Sequence, residues 1–300
     1  MIVVGRTSIA ALVVLWRLSA YYPPEIQSEL DAAIALMKSG KWQEAELILD
    51  KSLTMSGPPP RALYWKAYVQ FSTKRYSEST STLREYLGRT PGDSQARKLL
   101  GLDLFMIGDA AGAQTELERA VELLPKDEEA WYYLGRVYFS RQNLPAALST
   151  YQKLLEFAPS SVRARNQLGQ TYEWLNQFEL AEKAYEEAIR IDRESAKRSE
   201  WPYYNLGVLH LKAGMAERAL PHLQQALQLQ PKFPQAQVQL GVALSALGKQ
   251  EQAKAEFEAV LAADPDNADA HFQLARLYRK LGDPVKAKEH GLLFQRLRRP

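Results

Sequence analysis

The residues of this 300-residue chain follow a pattern that returns every 34 positions. Gly101, Gly135 and Gly169 are 34 apart, and Gly169, Gly207 and Gly241 follow at 38 and 34. The segments Trp131-Tyr132-Tyr133-Leu134-Gly135, Asn166-Gln167-Leu168-Gly169, Tyr203-Tyr204-Asn205-Leu206-Gly207 and Val238-Gln239-Leu240-Gly241 carry it most clearly. A fixed period of this size implies stacked supersecondary units, each burying its apolar face against its neighbours. An array built that way offers a long surface more readily than an enclosed active site.

Eight units fit. They start at Ile26, Pro60, Ser94, Glu128, Val162, Glu200, Pro234 and Ala268, so the array covers 26–300. One join is irregular, the four-residue insertion Ala196-Lys197-Arg198-Ser199. Each unit reads as two helices. The first stops at Gly108-Asp109, Asn143, Asn176 or Gly214, and the second ends before Pro91, Pro125, Pro159, Pro231 or Pro265. Glycine at a helix end and proline just beyond one are stop signals.

Small residues recur at two places in every unit. Ala33, Ala67, Gly101, Gly135, Gly169, Gly207, Gly241 and Ala275 hold the eighth position. Ala45, Ser79, Ala113, Ala147, Ala181, Ala219, Ala253 and Ala287 hold the twentieth. Larger side chains there would push paired helices beyond the usual spacing of about 8–10 Å.

The fourth unit then places Trp131, Leu134, Gly135, Tyr138, Ala147, Tyr151 and Pro159 as in the tetratricopeptide repeat, and the chain resembles that family over most of its length. Leu154, Arg193 and Gly291 depart from the family pattern. The resemblance implies an all-α, right-handed superhelical solenoid of about eight helix-turn-helix repeats. It also implies an inner face, lined by the first helix of each unit, that binds a protein or peptide. Mapped onto this sequence, that lining holds Tyr64, Trp65, Tyr68, Phe105, Tyr132, Tyr133, Arg136, Phe139, Trp174 and Tyr204. Exposed aromatics there would anchor an extended peptide, while Phe105 and Phe139 also suit packing between units. Gln167, Asn205, Gln239 and Gln273 share the sixth position of four successive units, and Gln170 is counted with them. Amides bond both the N–H and the C=O of a backbone. The run is in part similar to the Asn run of protein O-GlcNAc transferases, although three of the four are Gln and a solvated polar face fits it better. A clamp for a C-terminal carboxylate finds no support at Leu30, Ile34, Tyr64 and Tyr68.

Chemistry-bearing motifs are scarce. The four histidines are His210, His222, His271 and His290, none at metal-ligand spacing. His210 stands where other units place Tyr or Leu, which suits a packed core histidine. The glycines of 241–248 belong to the repeat and are spaced wrongly for a phosphate loop. Glu186-Glu187 and Asp127-Glu128-Glu129 read as solvated or helix-capping groups, because helix neighbours do not converge. No cofactor or metal is expected. The net charge of +3 is too small to argue for nucleic acid, and it is the sum of +6 on residues 276–300 and −3 on the rest. The chain has no cysteine, which excludes disulfides and thiolate metal sites.

Residues 1–25 stand outside the repeat. The apolar run Ile9–Trp16 is too short for a membrane span, which takes about 20 residues. It suits either a secretory signal peptide or an apolar helix capping the first repeat. A signal would place the protein in an exported compartment, a cap in the cytoplasm. The function expected is a non-catalytic scaffold that binds a protein or peptide segment in the concave groove. Two alternatives stay open: the repeat arm of a larger enzyme such as a glycosyltransferase, and self-association through the C-terminal end.

Overall fold

The computed structural model describes residues 24–55 and 59–298. The signal-or-cap expectation for the N-terminal segment falls on residues outside these, apart from the first turn of the first helix, which begins at Pro24. The described residues form sixteen helices and no strand. None of the helices is long and apolar enough to cross a membrane.

The chain divides into two compact units, 1–143 and 144–300. The first holds α1 (Pro24–Lys38), α2 (Trp42–Leu53), α3 (Pro60–Ser72), α4 (Tyr76–Arg89), α5 (Ser94–Met106), α6 (Ala110–Leu123) and α7 (Glu128–Ser140). The second holds α8 (Leu144–Phe157), α9 (Val162–Trp174), α10 (Phe178–Asp192), α11 (Trp201–Lys212), α12 (Ala216–Leu229), α13 (Pro234–Ala246), α14 (Gln250–Ala263), α15 (Ala268–Lys280) and α16 (Pro284–Leu297). The first helix of each repeat starts within two residues of its sequence expectation. Within each unit a helix packs on the one before it and the one after it, and first helices also touch the first helix of the next repeat.

Every first helix ends the same way. Residue fifteen of each repeat is left-handed: Gly40, Gly108, Gly214, Gly248 and Gly282 have φ of 73–90°, and Lys74, Gln142 and Asn176 have φ of 57–64°. The next amide then bonds five residues back, as Asp109 N to Leu104 O (2.8 Å) and Asn143 N to Tyr138 O (2.9 Å). This closure caps orphan carbonyls and reverses the chain. In the fourth repeat Gln142 takes the left-handed position, one residue before the Asn143 that the sequence suggests. The four-residue insertion is closed by Asp192, whose Oδ1 accepts from Ser199 N (2.7 Å).

The eighth and twentieth positions are buried in all eight repeats. A Cβ added at Gly241 would lie 2.4 Å from Phe257 Cε1, at Gly169 2.5 Å from Tyr185 Cε1, and at Gly101 2.6 Å from Leu117 Cγ. In these repeats, and at Gly207 beneath Leu223, the second helix thus lays a large side chain directly on the glycine of the first. Asp103 on α5 is one of the charged residues buried in the core. It is fully buried where neighbouring repeats place Val69 and Val137, and neither of its oxygens has a partner. Burial pushes its carboxyl up to about 8, and the Ser79 hydroxyl is spent on Ala67 O (2.9 Å) instead.

Two outcomes follow. Gly241→Val should destabilise the protein by about 1–3 kcal/mol through overpacking, read as a lowered Cm in urea; an unchanged Cm would contradict the close approach. Asp103 holds its proton more tightly folded than unfolded, so its contribution is complete below pH 4 and is lost as pH rises from 4 towards 8. The loss is on the order of 1 kcal/mol per pH unit. Asp103→Val should remove this slope and raise Tm at pH 7.5.

Candidate functional site

In the first unit the aromatics of α3 are core, which corrects the expectation that they line a surface. Tyr64, Trp65 and Tyr68 are 3%, 0% and 7% exposed. They pack edge-on against one another, Tyr64–Trp65 at 5.2 Å and Trp65–Tyr68 at 5.9 Å, with Tyr86 and Trp42 closing the stack from neighbouring helices. Burial, first of all, holds the Tyr64 hydroxyl well above the usual phenol range. The sequence carried a signal for this: Ala62 to Gln70 is apolar on nearly every side, and such a helix is buried. Tyr133 is likewise core, at 1% exposed.

Tyr132 and Arg136, one turn apart on α7, are half-exposed. The Arg136 Cζ lies over the rings of Phe105 (5.4 Å), Tyr133 (5.7 Å) and Tyr132 (5.9 Å). Phe105 and Phe139 are half-buried. At the start of α7, Asp127 caps the helix by accepting from Ala130 N (3.0 Å). It also accepts from Gln95 Nε2 and Lys98 Nζ of α5, both at 2.9 Å. Lys98 reaches Glu129 as well, at 3.1 Å. Burial works to raise the Asp127 carboxyl, but the Lys98 charge and these hydrogen bonds prevail and hold it low. The capping role expected for this acidic run is present. Its buried cationic partner was not foreseen.

In the second unit the first-helix faces remain open. Gln167, Gln170 and Trp174 follow one face of α9 at helical spacing. Trp174 is 65% exposed, and both glutamines are half-exposed. Gln239 on α13 and Gln273 on α15 are half-exposed at the equivalent position. None of these four amides makes a side-chain hydrogen bond to a described residue. Asn205 differs from its expected role. It is 6% exposed, and its Nδ2 donates to Asn166 Oδ1 (2.8 Å), joining α11 to α9. A buried amide needs a partner, and the neighbouring repeat supplies one, so Asn205 is structural. Nothing in the pattern distinguished it from the glutamines except its shorter side chain. Tyr204 is half-buried against Trp201 and Phe233, with centroids at 6.0 and 4.9 Å.

Beside this face Glu173 of α9 accepts from Tyr185 OH (2.6 Å) and Lys212 Nζ (3.0 Å). His210 is 2% exposed, as a core histidine should be, and its Nε2 lies 3.0 Å from Glu182 Oε1. The bond from His210 and then that from Arg218 hold Glu182 below the usual carboxylate range. No cluster of three or more metal-ligating side chains occurs among the described residues. Asn205→Ala should strand Asn166 and cost about 1–3 kcal/mol, seen as a lowered Tm; a neutral effect would mean the amide pair does not hold these repeats together.

Comparison with known proteins agrees with this architecture. Tetratricopeptide repeat models match residues 30–94 and 98–162, 160–232, and 210–259 with 251–290. A CTR9 homolog of Arabidopsis thaliana is 28% identical over 76% of this chain, which spans only 22% of that relative's length. Among solved structures, pilF of Pseudomonas aeruginosa aligns with a TM-score of 0.60 at 23% identity, covering 70% of this chain and 94% of that one. A tetratricopeptide repeat protein of Parabacteroides merdae aligns at 0.66 and 17% identity, covering 80% and 93%. At those identities the two structures share the fold.

Proposed function

This chain belongs to the tetratricopeptide repeat family, whose repeats mark a protein-interaction scaffold, and we propose that its second unit binds an extended peptide segment along its first-helix face. One observation carries the reading: Gln167, Gln170, Gln239 and Gln273 are half-exposed amides whose side chains bond to no described residue. The buried amides Asn166 and Asn205, by contrast, are paired with each other. Amides left unspent on three first helices, α9, α13 and α15, suit a ligand backbone, and they demand no particular side chain. Helix spacing of about 8–10 Å against a strand rise of about 3.3 Å means roughly every third peptide residue meets the next first helix. Trp174, with most of its ring in solvent, supplies the apolar anchor. The proposed role involves no catalysis, cofactor or nucleic acid.

A second reading keeps the same face but makes the chain the repeat arm of a larger enzyme. Similarity to an aspartyl/asparaginyl beta-hydroxylase of Mus musculus, 27% identical over 55% of this chain and 19% of that relative's length, favours this. The mass of the gene product purified from its source separates the two.

Selection from a random twelve-residue peptide library on the intact chain tests the proposal. Trp174→Ala, and Gln239→Leu with Gln273→Leu, should each weaken the selected peptides about tenfold or more with Tm unchanged. Undiminished binding to both variants would contradict it.

A further inference from the structure

We propose that Arg136 in the first unit captures a carboxylate of the bound segment, an Asp or Glu side chain, through its guanidinium fork. The proposal rests on the reading of this protein as a binder of polypeptide, but it concerns a different unit and different chemistry from the amide face.

Arg136 is half-exposed and lies over three rings, those of Phe105, Tyr133 and Tyr132. It forms no ion pair or hydrogen bond with a described residue. Four other arginines of the same unit are spent: Arg75 on Glu46, Arg89 on Glu85, Arg97 on Glu116 and Arg119 on Glu122. Along its own helix, the acid nearest to the Arg136 face is Glu129. It sits seven residues earlier, about 10 Å away by helix rise, and Lys98 already holds it.

Ring faces attract a cation without using its N–H groups. All five donors of Arg136 therefore stay available, on a side chain whose freedom the rings have already restricted. Less entropy is then lost when a ligand engages it. The charge also decides what can approach. An incoming lysine meets a cage filled by the protein's own cation and is repelled. A carboxylate matches the planar fork and accepts two parallel bonds. A phosphoryl group suits a cluster of cations, and Lys98, the cation of the adjoining helix, is committed to Asp127 and Glu129.

The test uses the full chain labelled with nitrogen-15, with the Arg136 Nε–Hε signal assigned by its loss in Arg136→Lys. N-acetyl-glutamate amide, N-acetyl-glutamine amide and inorganic phosphate are titrated separately at constant ionic strength. The glutamate compound should shift the signal saturably, with a midpoint at least about tenfold below that of the glutamine compound. The Tyr132 ring signals should report weaker binding of the same probe to Arg136→Lys, whose melting is checked in parallel. A non-saturating shift, equal responses to the glutamate and glutamine compounds, or a stronger response to phosphate would overturn the assignment. The glutamate and glutamine compounds carry the same backbone amides and differ only in the side-chain carboxylate, so failure of the amide face and failure of Arg136 are read separately.

Discussion

The architecture depends on one contact repeated along the chain: a small residue of the first helix lying beneath a large side chain of the second. At Gly169, Gly207 and Gly241 the covering groups are Tyr185, Leu223 and Phe257, so close that an added methyl would lie within 2.4–2.7 Å. That approach sets the helix spacing within a repeat. The left-handed residue fifteen sets the reversal between its helices. Both constraints are local, and satisfying them repeat by repeat builds the stack without distant contacts.

Because the stack is held by these contacts, polar groups on the first helices divide into two kinds. Some stitch repeats together, such as Asn166 with Asn205 and Lys98 with Asp127 and Glu129. Others are held in place by the fold yet bond to no described residue, namely the side chains of Gln167, Gln170, Gln239 and Gln273 and the guanidinium of Arg136. The second kind is where binding chemistry is available, since a group already paired would have to lose one partner to gain another.

Much of the fold was legible in the sequence because the repeat records geometry directly. Small residues mark close approach, prolines mark helix ends, and eight copies average out the noise of any one. Helix starts followed to within two residues. Two features were harder to read. Lys74 and Gln142 take the left-handed turn without being glycine, because a closure bond five residues back holds them there. Asp103 occupies a position that is apolar in the flanking repeats, and only packing reveals that it is buried.

The candidate site was less legible, since family position gives a residue's helix and register but not its neighbours. Tyr64 and Tyr132 share the fifth position of their repeats. One is sealed by Tyr86 and Trp65, while the other is half-exposed beside Arg136. Asn205 and Gln239 share the sixth, and only the shorter reaches a partner across the repeat boundary.

Site-specific photo-crosslinking to a selected peptide tests the central claim most directly. A crosslinker at Gln273, on first helix α15, is compared with one at the exposed Gln252 on second helix α14. Attachment at Gln273 alone is the predicted result. Attachment at Gln252, with none at Gln273, would place binding on the opposite helices and contradict the account.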